Sequence, residues 1–307
     1  MDINNETILA VGQHAKALGD EVSAELLSLL ESLWHLAKYF FDNQLLIAIF
    51  GAAAGAFFGA NAAQRIAERG KIRDELLREI RNTNAAIMVS FSICNSLLGL
   101  KKQHVKSLKE SFDTQKSAFL IHAEKRERGE QTDVFEYQAN LRTLSLPPLP
   151  VDILQNQIFE KLSLMGRSLA LATTLRQSVH GLSASLDARN NWIELSKTLD
   201  PEHEPLFVRY FGVPHRGRVN EEYSAFIEAI YSQTDEGIHF SEMLCNDLVE
   251  YGNTIVKKFE KRFGKKDVPA INKPVWDKAV EMMPKREDFA DWDSMFLKMP
   301  KPSDQKK

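Results

Sequence analysis

The chain is short of the residues that punctuate or cross-link a fold. Only two cysteines, Cys94 and Cys245, occur in 307 residues, too few for the disulfide framework of a small secreted protein. Each lies among apolar residues at helical spacing, which reads as a reduced core thiol. Glycine (15) and proline (11) are scarce, and strand-like alternation is nearly absent, which argues against a sandwich or barrel. Charge of one sign is lacking too. With 39 Lys and Arg against 42 Asp and Glu, the net charge is −3, which excludes a chain-wide electrostatic grip on nucleic acid. A hydrophobic content of 44% with 26% charged residues suits a folded protein and excludes a disordered tail or a polytopic transporter. At about 150 residues per domain the length fits two domains. The expected fold class is all-α.

The signatures of common catalysis are missing as well. There is no P-loop, no GxGxxG after a strand, no GxSxG, no HExxH and no Cys/His cluster at zinc spacing. The eight histidines are scattered, at 14, 35, 104, 122, 180, 203, 215 and 239. One constellation has a chemical look: Asp200, Pro201, Glu202, His203, Glu204, Pro205. Two acids beside a histidine can bind a metal or move a proton, but a polar loop of this length carries such residues by chance. The expectation is a non-enzymatic protein with no cofactor and no metal.

What the sequence does have is an uneven charge distribution. Residues 1–42 hold seven acids and two bases, and residues 43–64 hold no charge at all. Within that stretch residues 45–63 carry one polar side chain, Asn61, and as a helix they span ~28 Å, close to the ~30 Å of a bilayer core. Trp34, Tyr39, Phe40 and Phe41 precede the stretch, where interfacial aromatics belong, and Arg65, Arg69, Lys71, Arg73, Arg78 and Arg81 follow it. By the positive-inside rule the long C-terminal part is then cytoplasmic and the short N-terminal part lies outside. The competing reading is a buried soluble helix, since eight of the 19 residues are alanine and three are glycine. A soluble core helix rarely runs 22 positions without a charge. A signal anchor is the better reading than a cleaved signal peptide, because the preceding region is long and acidic.

On a helical wheel Ala48, Gly51, Ala52, Gly55, Gly59, Ala62 and Ala63 share an arc of about 120°, with Leu46, Ile47, Phe50, Phe57 and Phe58 opposite. Gly51, Gly55 and Gly59 form two overlapping GxxxG repeats. Such a ridge lets two backbones approach closely, which is how helices associate in lipid; small residues are also simply common in membrane segments. The layout resembles small bacterial inner-membrane proteins that serve as effectors in phage-defence operons. Those pair a short Gly/Ala-rich membrane segment, here residues 51–59, with a helical cytoplasmic part. The resemblance implies a partner that holds the protein silent and membrane damage on release, and it implies no residue roles.

The expected organisation is an extracytoplasmic amphipathic helix within residues 1–42, a transmembrane helix at 43–64, a cytoplasmic bundle at 65–266 and a Pro/Trp-containing tail at 267–307. The bundle reads as three long, coiled-coil-like helices. The first runs from Arg65 for about sixty residues, with a and d positions Leu77, Ile80, Asn84, Ile87, Phe91, Cys94, Leu98, Lys101, Val105, Leu108, Phe112, Gln115 and Phe119. Asn84 and Lys101 either set register or face water at an uneven seam. A turn around Gly129 and a short alternating piece, Phe135, Tyr137, Ala139 and Leu141, end at Pro147, Pro148 and Pro150. The second helix is expected from about Val151 to Leu199 and the third from Glu221 to about Phe263.

Two basic stretches stand out. Lys101, Lys102, Lys106 and Lys109 lie in the first helix, and Lys257, Lys258, Lys261, Arg262, Lys265 and Lys266 close the third. If three helices run up, down and up, these begin ~55 Å and ~65 Å from the membrane and meet as one distal surface for nucleic acid or an acidic protein. The loop bearing Arg209, His215, Arg216 and Arg218 then returns to the membrane, where anionic lipid would attract it. The partners expected are membrane lipid, a second copy of the chain, a cytoplasmic protein or ribonucleoprotein and, through the distal surface, nucleic acid. The expected location is the bacterial inner membrane.

Overall fold

The structure, a computed structural model, describes residues 26–36, 38, 39, 44–199, 205–266, 268–277 and 279–297. The chain divides into two units, Met1–Ile72 and Arg73–Lys307. Among the described residues all regular structure is helical.

In the first unit, α1 (Leu26–Leu36) places its polar residues Ser28, Glu31, Ser32 and His35 on one face. Its leucines and Trp34 take the other half of the wheel, and all are exposed. Helix α2 (Gln44–Leu100) carries the uncharged stretch. Its one polar side chain there, Asn61, turns its amide back to the carbonyl of Phe57, 3.0 Å away.

The second unit is a bundle crossed four times by the chain. The first pass is the part of α2 from Arg73 onward, a π turn at Lys101–Val105 and α3 (Lys106–Glu127). Ile80, Thr83, Ile87, Ser90, Cys94, Leu97, Lys101, Val105, Leu108 and Phe112 are buried along it, the three- and four-residue spacing of a helical stripe. After Gly129 (φ 75°) the chain is extended over residues 130–150. This strap descends antiparallel to α3, its path marked by His122 Nε2 at 2.7 Å from the carbonyl of Asp133 and by the Gln138 amide donating to Gln115. Helix α4 (Val151–Lys161) continues downward until the carbonyl of Lys161 accepts from Asn82.

Helix α5 (Arg167–Thr198) rises again, and α6 (Leu206–Phe211) lies at its upper end. Helix α7 (Glu222–Phe263) makes the final descent. Ser90 donates to the carbonyl of Ser241 (2.9 Å), Cys94 to that of Ile238 and Cys245 to that of Ile87. Higher up Lys116 reaches Ser224, and lower down Tyr251 bonds Glu79. As residue numbers rise on α2 and α3 their partners on α7 fall, so the pair is antiparallel throughout. α5 is antiparallel to α7 as well, through Arg167 on Asp247, Ser178 on Glu236 and Ser185 on Gln233.

Close approach uses glycine at two positions of α7. A Cβ on Gly237 would lie 2.7 Å from Leu97 Cδ1, and one on Gly252 would lie 2.6 Å from Ile271 Cδ1 and 3.1 Å from Thr83 Cγ2. The C-terminal tail climbs this seam. Asn84 pairs with the backbone of Ala270 and Asn272, Trp276 packs on Phe91 (5.2 Å), Phe289 stacks on His239 (4.0 Å) and Trp292 packs at a tilt on Phe240 (4.2 Å). Two 3-10 turns, Val280–Met282 and Arg286–Phe289, lead to α8 (Ala290–Leu297).

Two expectations are corrected here. The second helix is broken: Leu162 turns extended, and Gly166, at φ 66°, reverses the chain before α5. The bundle also has an even number of passes, because the extended strap does the work of a descending helix without a helical period to announce it. An up-down-up count is therefore off by one pass.

Candidate functional site

The small-residue ridge lies in the open. Residues 48–71 of α2 are exposed on every side, Phe50, Phe57 and Phe58 included. No atom lies within 4 Å of where a Cβ would stand on Gly51, Gly55 or Gly59. Ala48, Ala52 and Ala62 are exposed beside them. Ala48–Glu127 is long and apolar enough to cross a membrane, and half of its most apolar window is buried within the protein. That window lies in the bundle, along the buried stripe that begins at Ile80, and the core helix of a soluble protein meets the same measure; the ridge is a separate, uncovered stretch.

The expected distal basic surface does not exist as one surface. Lys101 is buried, its Nζ 2.5 Å from Asp235 Oδ1 and 5.2 Å from the Tyr231 ring. Burial pushes the Asp235 carboxyl above its ordinary range, against the opposing pull of Lys101. Lys109 is held between Asp113 (2.5 Å) and Glu228 (3.0 Å), and Lys106 lies 3.9 Å from Glu110. Of the four, only Lys102 is an exposed cation with no ion pair among the described residues. The other stretch, Lys257, Lys258, Lys261, Arg262, Lys265 and Lys266, is wholly exposed. The antiparallel register places it at the opposite end of the bundle from Lys101 and Lys109, beside Arg73.

The loop expected at the membrane moves for the same reason. Arg209 is buried in α6, next in sequence to Tyr210 and Phe211, which belong to the buried cluster of Phe112, Trp192 and Tyr223. His215 and Arg218 exchange backbone hydrogen bonds of 2.8 and 2.9 Å across a two-residue turn, with Arg216 at φ 49° and Gly217 at φ 75°. Both sit at the Phe112 end, and the 39 helical steps from Arg73 to Phe112 span ~58 Å. Glu202, His203 and Glu204 lie outside the described residues.

The polar machinery missed in the sequence holds the strap. Arg189, fully buried, donates to the carbonyls of Arg142 (2.8 Å) and Asn140 (2.9 Å) and to the Tyr223 hydroxyl (3.1 Å). Tyr223 in turn donates to Asn140 (2.8 Å), and Asn190 pairs with both backbone groups of Leu144. A signal was present. Arg189 falls three residues after Leu186 and four before Ile193, on the apolar stripe of α5, where an arginine needs acceptors.

No protein-family model, curated protein or solved structure matches the chain. Chemistry must therefore be read from the groups themselves. Burial pushes both thiols, Cys94 and Cys245, up to about 12, so neither is a thiolate nucleophile at neutral pH. Among the described residues no group of three or more His, Cys, Asp or Glu is arranged to hold a metal. A half-open cleft of about 560 Å³ lies between α3 and the strap, walled by Phe119, His122, Arg126, Phe135, Tyr137 and Phe207.

Proposed function

We propose that the chain is a non-enzymatic, single-pass protein of the bacterial inner membrane. Residues 43–64 cross the bilayer, and copies associate through Ala48, Gly51, Ala52, Gly55, Gly59 and Ala62. The remainder is a cytoplasmic helical bundle that meets a regulatory partner, and the protein acts as a membrane-damaging effector of antiphage defence when that partner lets go.

One observation carries the membrane part of this reading: residues 48–71 of a well-formed helix are uncovered on every side. Large apolar side chains in that state need a solvent other than water. The self-bonded amide of Asn61 fits the same environment, because a polar group in hydrocarbon must be satisfied internally. Open space at all three glycines supports the ridge as the associating face.

The test is growth and membrane potential in cells making the intact chain, beside a version lacking residues 43–64. Depolarisation with the intact chain alone is the expected result. Normal potential with both versions would refute the effector reading and leave the segment as an anchor only.

A further inference from the structure

Lys257, Lys258, Lys261, Arg262, Lys265 and Lys266 form a dense set of cations at the end of α7. All six are exposed, and among the described residues none makes an ion pair. Between residues 257 and 266 the one acid is Glu260. Phe259, fully buried, anchors the last turns of α7 to the core, so Lys257, Lys258, Lys261 and Arg262 stand on a fixed helix, with Lys265 and Lys266 just beyond its end. Lys257, Lys258, Lys261 and Arg262 share about 140° of the α7 wheel.

Where this platform lies is decided by register. Tyr251 meets Glu79, and Gly252 packs against Thr83. One and a half turns further along α7, Lys257 is level with Arg73. That end of the bundle is the one the covalent chain ties to the apolar segment. Nine residues separate Ala63 from Arg73, ~15 Å as helix and no more than ~35 Å fully extended. Towards the Phe112 end, ~58 Å further on, Lys101, Lys106 and Lys109 are engaged by acids, and Lys125, Arg126 and Arg128 are interspersed with Glu124, Glu127 and Glu130.

From this we infer that the Lys257–Lys266 cluster is a docking surface for the anionic phospholipid headgroups of the bilayer that the apolar segment enters. The inference rests on the membrane reading above and adds to it the lipid class and the residues. A polybasic cluster of four to eight side chains held within a Debye length of an anionic leaflet is attracted to it strongly. A tether of this length keeps the cluster within reach of the leaflet and raises its effective concentration there.

The test uses the full chain reconstituted in vesicles. Lys265→Cys carries a fluorophore at the basic end, and Arg128→Cys carries the same label at the other. Quenching by headgroup spin-labelled lipid is read in phosphatidylcholine and in phosphatidylcholine with about 30% phosphatidylglycerol. Alkaline extraction and flotation check insertion first. In anionic vesicles quenching at position 265 is expected to exceed that at position 128 about tenfold, to fall at ~0.5 M salt and to vanish with Lys257→Glu, Lys258→Glu, Lys261→Glu and Arg262→Glu combined. Helicity measured on that variant separates charge loss from unfolding, and the corresponding Gln substitutions are expected to give intermediate quenching. Flotation with equal quenching at both positions would overturn this inference alone. Release by alkaline extraction would overturn the membrane reading with it. Binding of a single-stranded RNA at ~0.15 M salt, lost on charge reversal and without quenching by anionic vesicles, would assign the cluster to nucleic acid and also overturn it.

Discussion

Replacing Lys101 by methionine tests the bundle's register at its most exposed assumption. In the sequence Lys101 belongs to a basic stretch that reads as solvated. In the structure its side chain is 6% exposed, facing Asp235 at 13%, on a π turn that aims it at α7. Methionine keeps the length and apolar stem of the side chain, so the cavity contribution is small. What changes is Asp235, left charged and buried without its partner, at a cost of about 3–5 kcal/mol. For a unit of this size that lowers Tm by ~6–20 °C, read from the helical circular dichroism signal of the full chain in detergent.

The pH dependence carries the sign. Burial already raises the folded carboxyl of Asp235, and removing Lys101 deletes the opposing pull. Between the unfolded value of about 3.9 and the raised folded value, the folded state binds more protons, so stability falls as pH rises. The deficit of Lys101→Met is thus smallest below about pH 4 and grows toward neutrality. Adding Asp235→Asn should recover most of it at pH 7 and flatten the profile. A cost under about 0.5 kcal/mol, the range of ordinary surface substitutions, or a deficit independent of pH, would refute the burial of Lys101 and the α2–α7 register with it.

Further outcomes follow from features elsewhere. Gly55→Ile with Gly59→Ile is expected to abolish crosslinking between copies in membranes while leaving expression intact; undiminished crosslinking would exclude the ridge as the contact. Arg189→Met leaves the carbonyls of Asn140 and Arg142 without donors and should destabilise the bundle by about 2–5 kcal/mol, with the strap becoming the first segment cut by protease. An unchanged digestion pattern would contradict the clamp. Gly252→Leu drives a side chain into Ile271 and Thr83 and should cost about 1–3 kcal/mol or more, measured by denaturant midpoint; Gly51→Leu, on the open face, should leave the same midpoint unchanged.

Much of the bundle was readable in advance. The third long helix was expected over 221–263 and spans Glu222–Phe263, because Gly264, at φ 89°, stops a stripe of unbroken three- and four-residue spacing. Ile80, Ile87, Cys94, Leu98, Val105, Leu108 and Phe112 all lie buried as the first helix's apolar pattern required. The strap was harder to read. Phe135, Tyr137, Ala139 and Leu141 alternate as an extended segment should, but alternation says nothing about how far such a segment travels. Its length turned a three-pass count into four passes and exchanged the ends to which Lys257–Lys266 and Arg209–Arg218 belong. Lys101 carried two readings, a position on the helix seam and part of a basic surface, and only the seam position holds. One-dimensional charge counting cannot see Asp235, 134 residues later in the chain, and so treats a buried ion pair as a surface charge.

The antiparallel seam between α2 and α7 also bears on how the protein is made. Its contacts join residues as far apart as Glu79 and Tyr251, a separation of 172 positions. At roughly 5–20 residues per second, the α2 stripe waits about 10–35 s for its partner to leave the ribosome. During that interval Ile80, Ile87, Ile93 and Leu97 face water while the apolar segment ahead of them is already available for insertion. Synthesis interrupted before α7 would yield a chain with its apolar segment complete and its bundle unclosed, a species for chaperones and proteases to recognise. The order of translation thus makes the last long helix the element that decides whether each copy becomes a finished protein.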